Sequence, residues 1–437
     1  MVSTVVRCFV FVLFSILLVR VKSQFCHGMS QYDRCSPNSA CTCFYIAGAI
    51  GIGVCGYEFA DCSELVPCEG SNNLCLEPNH RCVHHPRCHD LPVCYPVPSF
   101  NRQLCPPIAT TNTTTATTIP TKTTTTTTTQ QLVIPNISVN ATWAQNGITV
   151  AGGRDQGSAT NQLSWPFDLL VDDDDQTMVI TDAHNHRIIQ WKIGETNGQV
   201  VAGGHGQGNR LEQLHSPTDV LIDKETDSLI ICDWQNRRVV RWSRRSGTTQ
   251  GEILVDNIRC WGLAMDVQKY LYISDTEKDE VRRYQIGDKE GTLVVGGHGQ
   301  GADLNQLNWP KYIFVDQQQA VYVSDSKNHR VMKWNKDATE GTVVAGGHGE
   351  GKALTQLSEP YGLFVDMFGT IYVADSDNNR VMRWPKGATQ GAVIVGGNGQ
   401  GAGANQFKVS MGLSFDRHGN LYVVDEYNHR IQQFSIE

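Results

Sequence analysis

The sequence predicts an all-β architecture in which six four-stranded antiparallel blades close into a ring, preceded by a small disulfide-rich domain and a threonine-rich linker. Three observations predict it. An apolar strand that ends in Asp and is answered by Arg five residues later occurs five times, with Asp at 182, 233, 325, 375 and 425. The spacings are 51, 92, 50 and 50, and a degenerate copy at Asp275 divides the 92 into 42 and 50, so six units follow one another at a nearly fixed period. Each unit holds four short β-rich segments broken by Gly, Asp and Asn, without helical periodicity, which fits one blade.

Residues 1–23 precede this plan. Arg7, the apolar run from Cys8 to Val19 and the small Ser23 have the layout of a secretory leader whose core is too short to span a bilayer. No later stretch reaches the roughly 18 apolar residues of a membrane helix. The expected product is secreted and extracellular, with no membrane insertion. The formal charge of −8 becomes −11 when Arg7, Arg20 and Lys22 leave with the leader (−8 − 3). That sign argues against nucleic acid, because phosphate-backbone binding draws on clustered cations.

Twelve of the 15 cysteines crowd into residues 24–105: Cys26, Cys35, Cys41, Cys43, Cys55, Cys62, Cys68, Cys75, Cys82, Cys88, Cys94 and Cys105. An even number in a secreted segment of this size reads as a disulfide framework, with the pairing left open. His80, His84, His85 and His89 are interspersed, but zinc modules take thiolate pairs at C-x₂₋₄-C spacing, and the close pair here, Cys41 and Cys43, is separated by one residue. With few aliphatic residues to bury, this domain depends on cross-links of about 2–4 kcal/mol each.

Residues 106–142 turn to threonine, with an unbroken run from Thr123 to Thr129. Such a segment buries too little to fold and reads as a glycosylated stalk. Sequons at Asn112, Asn136 and Asn140 all lie in it. The stalk separates the cysteine-rich domain from the repeats of residues 143–437, so their functions are expected to be separable.

The fourth unit shows how a blade is spelled: residues 310–316 are an apolar run, 321–325 and 330–334 alternate, and 341–347 close with glycines. The domain opens on an orphan fourth strand, residues 147–153, and its last unit stops after a third, residues 430–436. If the first segment completes the last blade, the open edges of an unfinished array disappear. The prediction is a six-bladed β-propeller. The string Asp-x-x-Asn-[His/Asn/Arg]-Arg-[Val/Ile] after each strand resembles the signature of the NHL-repeat family, over roughly two thirds of the chain. Propellers of that family serve as protein- or RNA-binding platforms, as extracellular interaction or sensor domains, and as the scaffold of peptide-amidating lyases. The resemblance therefore implies the fold more strongly than the function.

In each unit the Asp ends the second strand and the Arg begins the third. Asp182 and Arg187, Asp233 and Arg238, Asp325 and Arg330, Asp375 and Arg380, and Asp425 and Arg430 thus face each other across a tight turn in which Asn supplies the turn chemistry. A charge-assisted bond would pin that turn, and a residue type repeated five times serves the fold, since catalysis needs it once. The third unit carries Lys278, Asp279 and Glu280 instead and keeps the strand pattern. Glycine strings such as residues 203–208 look like a phosphate-cradling loop but lack the helix that must follow. Their glycines allow positive φ where one blade passes to the next. His205, His298 and His348 fall at one mouth of the ring, but equivalent residues of separate blades are held apart, and Arg154 and Asn398 fill other matching positions. No metal or other cofactor is expected. The run from Asp172 to Asp175 reads as a solvated turn rather than a calcium site, which needs convergent oxygens from more than one segment. Cys232 and Cys260 lie toward the same face of adjacent units, where a disulfide would staple the one junction that lacks the glycine string.

In the amidating lyases that this domain resembles, zinc histidines follow a Pro at the start of the innermost strands. The residues standing there are Phe167, Thr218, Trp261, Lys311, Tyr361 and Met411, none of them a zinc ligand of that kind. They suit contact with a partner instead, and because they differ from unit to unit they can mark one site on a symmetric ring. The expected function is a non-catalytic, secreted platform for an extracellular protein or glycan. A metal-dependent lyase or lactonase on the same scaffold is the alternative.

Overall fold

The computed structural model describes residues 140–437 apart from 173–175 and 246, residues 135, 137 and 138, and short segments between residues 25 and 96. The leader, most of the threonine-rich stretch, Asn112, Asn136, Cys35, Cys62, Cys88 and Cys105 lie outside the described residues, while Asn140 is exposed. Contacts divide the chain into two units, Met1–Thr124 and Thr125–Glu437.

In the first unit, Ile52–Tyr57 pairs antiparallel with both Phe25–His27 and Cys41–Tyr45, which puts Cys26, Cys41, Cys43 and Cys55 on strands. Val93–Pro96 likewise runs between Val66–Pro67 and His80–Val83. Disulfides join Cys68 to Cys82 and Cys75 to Cys94. Cys82, Val83, Val93 and Cys94 are buried, so the cross-links sit against a small apolar centre.

The second unit is a ring of six four-stranded sheets. Its innermost strands are Pro166–Asp172, Pro217–Asp223, Cys260–Met265, Pro310–Val315, Pro360–Val365 and Ser410–Phe415. The second strand of every blade is apolar and β-branched; in Val321–Asp325 all five residues are buried, as a strand covered on both faces demands. An aromatic stands at the fifth position of each third strand, and Trp191, Trp242, Tyr284, Trp334, Trp384 and Phe434 are all buried. The neighbouring glycine makes room: a Cβ on Gly341 would stand 2.7 Å from the Trp334 ring. The ring closes as the orphan strand predicts, Ile148–Gly152 pairing with Arg430–Phe434 through Arg430 opposite Gly152 and Ile431 opposite Ala151. Trp143 locks the seam, donating from Nε1 to the Gly419 carbonyl at 2.9 Å.

The first-to-second strand turns are more ordered than the sequence suggests. Asp266, Asp316, Asp366 and Asp416 each accept two backbone amides, such as Gln268 and Tyr270 at 2.9 Å for Asp266. At Asp172 the reading as a solvated turn is corrected, while residues 173–175 of that run lie outside the described residues. Asp172 is buried, and it pairs with Lys224 and, at 3.2 Å, with Arg244 of the next blade, because an unpaired carboxylate there would lose its hydration without return.

Candidate functional site

What repeats is a clasp. Asp182 accepts from the Ser164 amide, Asn185 Nδ2 and Arg187 Nε, all at 2.7 Å. The remaining guanidinium nitrogens of Arg187 donate to the carbonyls of Ser158, Ala159 and Gln162 at 2.7, 3.0 and 3.1 Å. The pair thus does more than pin its turn: it holds the glycine-rich loop arriving from the neighbouring blade. The other Asp–Arg bonds measure 2.8, 2.7, 2.6 and 2.7 Å for Arg238, Arg330, Arg380 and Arg430. Burial pushes each of these five carboxyls up from the ordinary range, and the Asn, Arg and amide donors pull back. A charge taken out of water is tolerated here because its lone pairs are used.

The third blade is built differently. Asp275 accepts the Glu277 amide at 3.0 Å through one oxygen, while the other is buried with no hydrogen-bond partner and has Lys278 at 3.9 Å. Glu280, in the place of the clasp Arg, accepts from Arg282 Nε at 2.6 Å. A disulfide between Cys232 and Cys260 ties the second strand of blade 2 to the innermost strand of blade 3.

The residues that do not repeat gather at the mouth where the innermost strands begin. Phe167, Trp261, Lys311, Tyr361 and Met411 line a cavity of about 290 Å³. Thr218 is not among its lining. It is fully buried and serves the wall, donating to the Trp261 carbonyl at 2.8 Å with Cys232 Sγ at 3.0 Å. Six further lining residues went unrecognised in the sequence: Trp234, Trp309, Asp377, Val409, Glu426 and Tyr427. Trp234 and Glu426 stand one residue after the signature Asp, and Asp377 and Tyr427 two after, so they occupy the variable positions of the very string whose fixed positions make the clasp. Trp309 and Val409 immediately precede innermost strands in the left-handed region, with φ of 57° and 64°.

The cup has a buried floor and an open rim. Trp261 is 5% and Phe167 8% exposed, whereas Trp309 and Tyr427 are each 37% exposed. The rings are ordered by mutual contact: Phe167 stacks on Trp261 at 5.6 Å, Trp234 meets Trp261 edge-on at 5.2 Å, and Trp165 lies between His184 and Tyr427 at 4.6 and 4.5 Å. In the floor stands Lys311, 1% exposed, with Nζ 3.0 Å from the Trp261 ring centroid, 4.7 Å from Trp309 and 4.8 Å from Tyr361. Among the described residues no carboxylate lies at ion-pairing distance from it. A close ring favours a desolvated ammonium by about 2 kcal/mol, against several kcal/mol for taking an unpaired ion out of water. Burial wins and pushes the Lys311 pKa well below the ordinary ammonium range. Burial also pushes the Glu426 carboxyl up to about 8, with Lys311 acting in the opposite sense. Burial thus favours the neutral form of both residues, the amine of Lys311 and the acid of Glu426.

His205, His298 and His348 are exposed, each on its own blade. Among the described residues the one group of His, Cys, Asp and Glu with donor atoms in mutual reach is Cys68, Cys75 and Cys94, which the two disulfides of the first unit account for.

The NHL repeat family model matches residues 412–434, which run from the innermost to the third strand of the last blade. An auxiliary nutrient binding protein from Bacteroides thetaiotaomicron superposes with a TM-score of 0.54 and 16% identity over 68% of this chain and 77% of its own. A putative phosphatase from the same organism gives 0.54 and 15% over 68% and 79%, and a protein of unknown function from it gives 0.54 and 16% over 68% and 76%. At such identity the likeness is one of fold. No curated protein matches the chain in sequence.

Proposed function

We propose that this chain, a six-bladed β-propeller whose last blade matches the NHL repeat, is a non-catalytic extracellular binding platform whose partner, a protein or a glycan, seats on the aromatic cup. One observation carries the reading. The Asp, Asn and Arg repeated around the ring are consumed by the clasps, while the residues that break the repeat converge on a single cavity. Buried aromatics dominate the energetics of most interfaces, and about 290 Å³ suits one inserted side chain or sugar ring. Secretion is supported by the disulfide between Cys232 and Cys260, a bond typical of oxidising compartments. The lyase alternative finds little support in the lining, which offers two carboxyls and an amine but no histidine or thiol.

The test uses the full chain as bait, against extracellular fluid and against an array of glycans, beside Trp309→Ala/Tyr427→Ala. Removing two rim aromatics should weaken capture by about 2 kcal/mol, roughly 30-fold. Equal capture by both proteins would move the site elsewhere.

A further inference from the structure

We propose that Lys311 is a nucleophilic amine that captures a small aldehyde as an imine within the cup, with the Glu426 carboxyl supplying the proton. The proposal rests on the cup being the ligand site and goes beyond a purely non-covalent platform.

The geometry separates Lys311 from the lysines that serve the fold. Lys224 pairs with Asp172, Lys269 with Asp223, Lys327 with Glu359 and Lys333 with Asp316. Lys311 is more buried than any of them, yet among the described residues it has rings around it and no anion. A lysine kept for stability would not be left so, because an unpaired buried charge is costly. Its position is also unrepeated, the equivalent residues being Phe167, Thr218, Trp261, Tyr361 and Met411.

Glu426 is the second exception of the same kind. Its counterparts Ser326 and Ser376 are spent on structure, donating to the Pro360 and Ser410 carbonyls at 2.6 Å. The Glu426 side chain is 6% exposed and has no hydrogen bond or ion pair among the described residues, and it lines the same cavity as Lys311. Two unrepeated, buried ionisable groups, neither of them in an ion pair among the described residues, thus share one aromatic enclosure. Burial shifts both toward their neutral forms, a free amine and a free acid, which is the state that carbonyl addition requires.

The amine lone pair attacks the carbonyl carbon as the C=O π bond breaks. The carbonyl oxygen takes the Glu426 proton, and the nitrogen returns one to the carboxylate, giving a carbinolamine. The hydroxyl then leaves as water with the Glu426 proton, and the nitrogen forms the C=N bond. The product is a protonated imine facing the Glu426 carboxylate, so amine, aldehyde and acid become iminium, water and carboxylate without oxidant or reductant. The rings of Trp261, Trp309 and Tyr361 shield the linkage from water and favour an aldehyde with a flat, apolar body.

The test treats the full chain with benzaldehyde and cyanoborohydride at pH 7 and maps reductive alkylation by peptide mass spectrometry. Lys311 should be modified at least about tenfold faster than the exposed Lys352 and Lys386. Its rate should fall far less from pH 9 to pH 7 than the roughly tenfold per unit of an ordinary exposed ammonium. Glu426→Gln should slow it by about a hundredfold, with the thermal midpoint reporting that the variant is folded. Modification of Lys311 no faster than of Lys352 in the unaltered protein overturns the proposal. That result leaves the cup as a partner site untouched, because capture by the rim variant reads it separately.

Discussion

Five blades hold the loop that arrives from their neighbour with a buried Asp, Asn and Arg, whereas the third holds its shortened junction with sulfur. The difference shows what the clasp is for. Arg187 spends three of its hydrogen bonds on loop carbonyls, and where no such loop exists a guanidinium would be a buried charge with donors to spare. Glu280 stands there instead, Asp275 is left with one unpartnered oxygen, and the disulfide takes over the tie. The exception also borders the cup. Trp261 follows Cys260 directly, and Trp234 follows Asp233, so the covalent tie fixes the ground on which the aromatic floor stands.

The comparison breaks most visibly in a regular blade. Arg330→Ala leaves Asp325 buried and unpaired and should cost about 3–5 kcal/mol in thermal or denaturant unfolding. Arg330→Lys should recover little, because one ammonium cannot replace a guanidinium that serves the carboxylate and three carbonyls. Asp275→Asn, by contrast, should be near neutral, within about 1 kcal/mol, since the oxygen it alters has no hydrogen bond to lose. Equal losses in the two blades would mean that the clasp is not what distinguishes them.

Removing the sulfur tie comes next. Cys232→Ser/Cys260→Ser should cost about 2–4 kcal/mol and lower the midpoint by several degrees. Non-reducing peptide mapping of the unaltered chain should recover the two cysteines in one linked peptide. Recovery of both as free thiols after denaturation would contradict the structure at that junction.

A further effect follows from pH. The folded-state pKa of Glu426 is raised to about 8, from an unfolded value near 4.5, so its contribution is fully present below about 4.5 and is lost as pH rises through 8. The midpoint of the unaltered protein should therefore fall relative to Glu426→Gln between pH 5 and pH 9. Parallel profiles for the two proteins would place the Glu426 carboxyl in water.

Much of this was legible in the sequence, and the reason is periodicity. Asp325, Asn328 and Arg330 recur at fixed offsets, and the orphan strand at residues 147–153 announced its partner. Periodicity is equally why the cup was half hidden. The second position of the innermost strands singles out Phe167, Trp261, Lys311, Tyr361 and Met411, which line the cavity, together with Thr218, whose hydroxyl turns instead to the Trp261 carbonyl. Trp234, Asp377, Glu426 and Tyr427 sit in the variable slots of the signature, where a reading tuned to repeats sees only the turn. Asp172 was misread for another reason: its partners Lys224 and Arg244 lie 52 and 72 residues away, beyond any local pattern.

The central claim is that the repeated clasp residues serve the fold and the unrepeated residues of the cup the partner, and Trp309→Ala/Tyr427→Ala tests it most directly. Both side chains are more than a third exposed, so unfolding should change by no more than about 1 kcal/mol, while partner capture, measured in parallel on the same preparation, should drop roughly 30-fold. Full capture, or a stability loss as large as that of Arg330→Ala, would contradict the division.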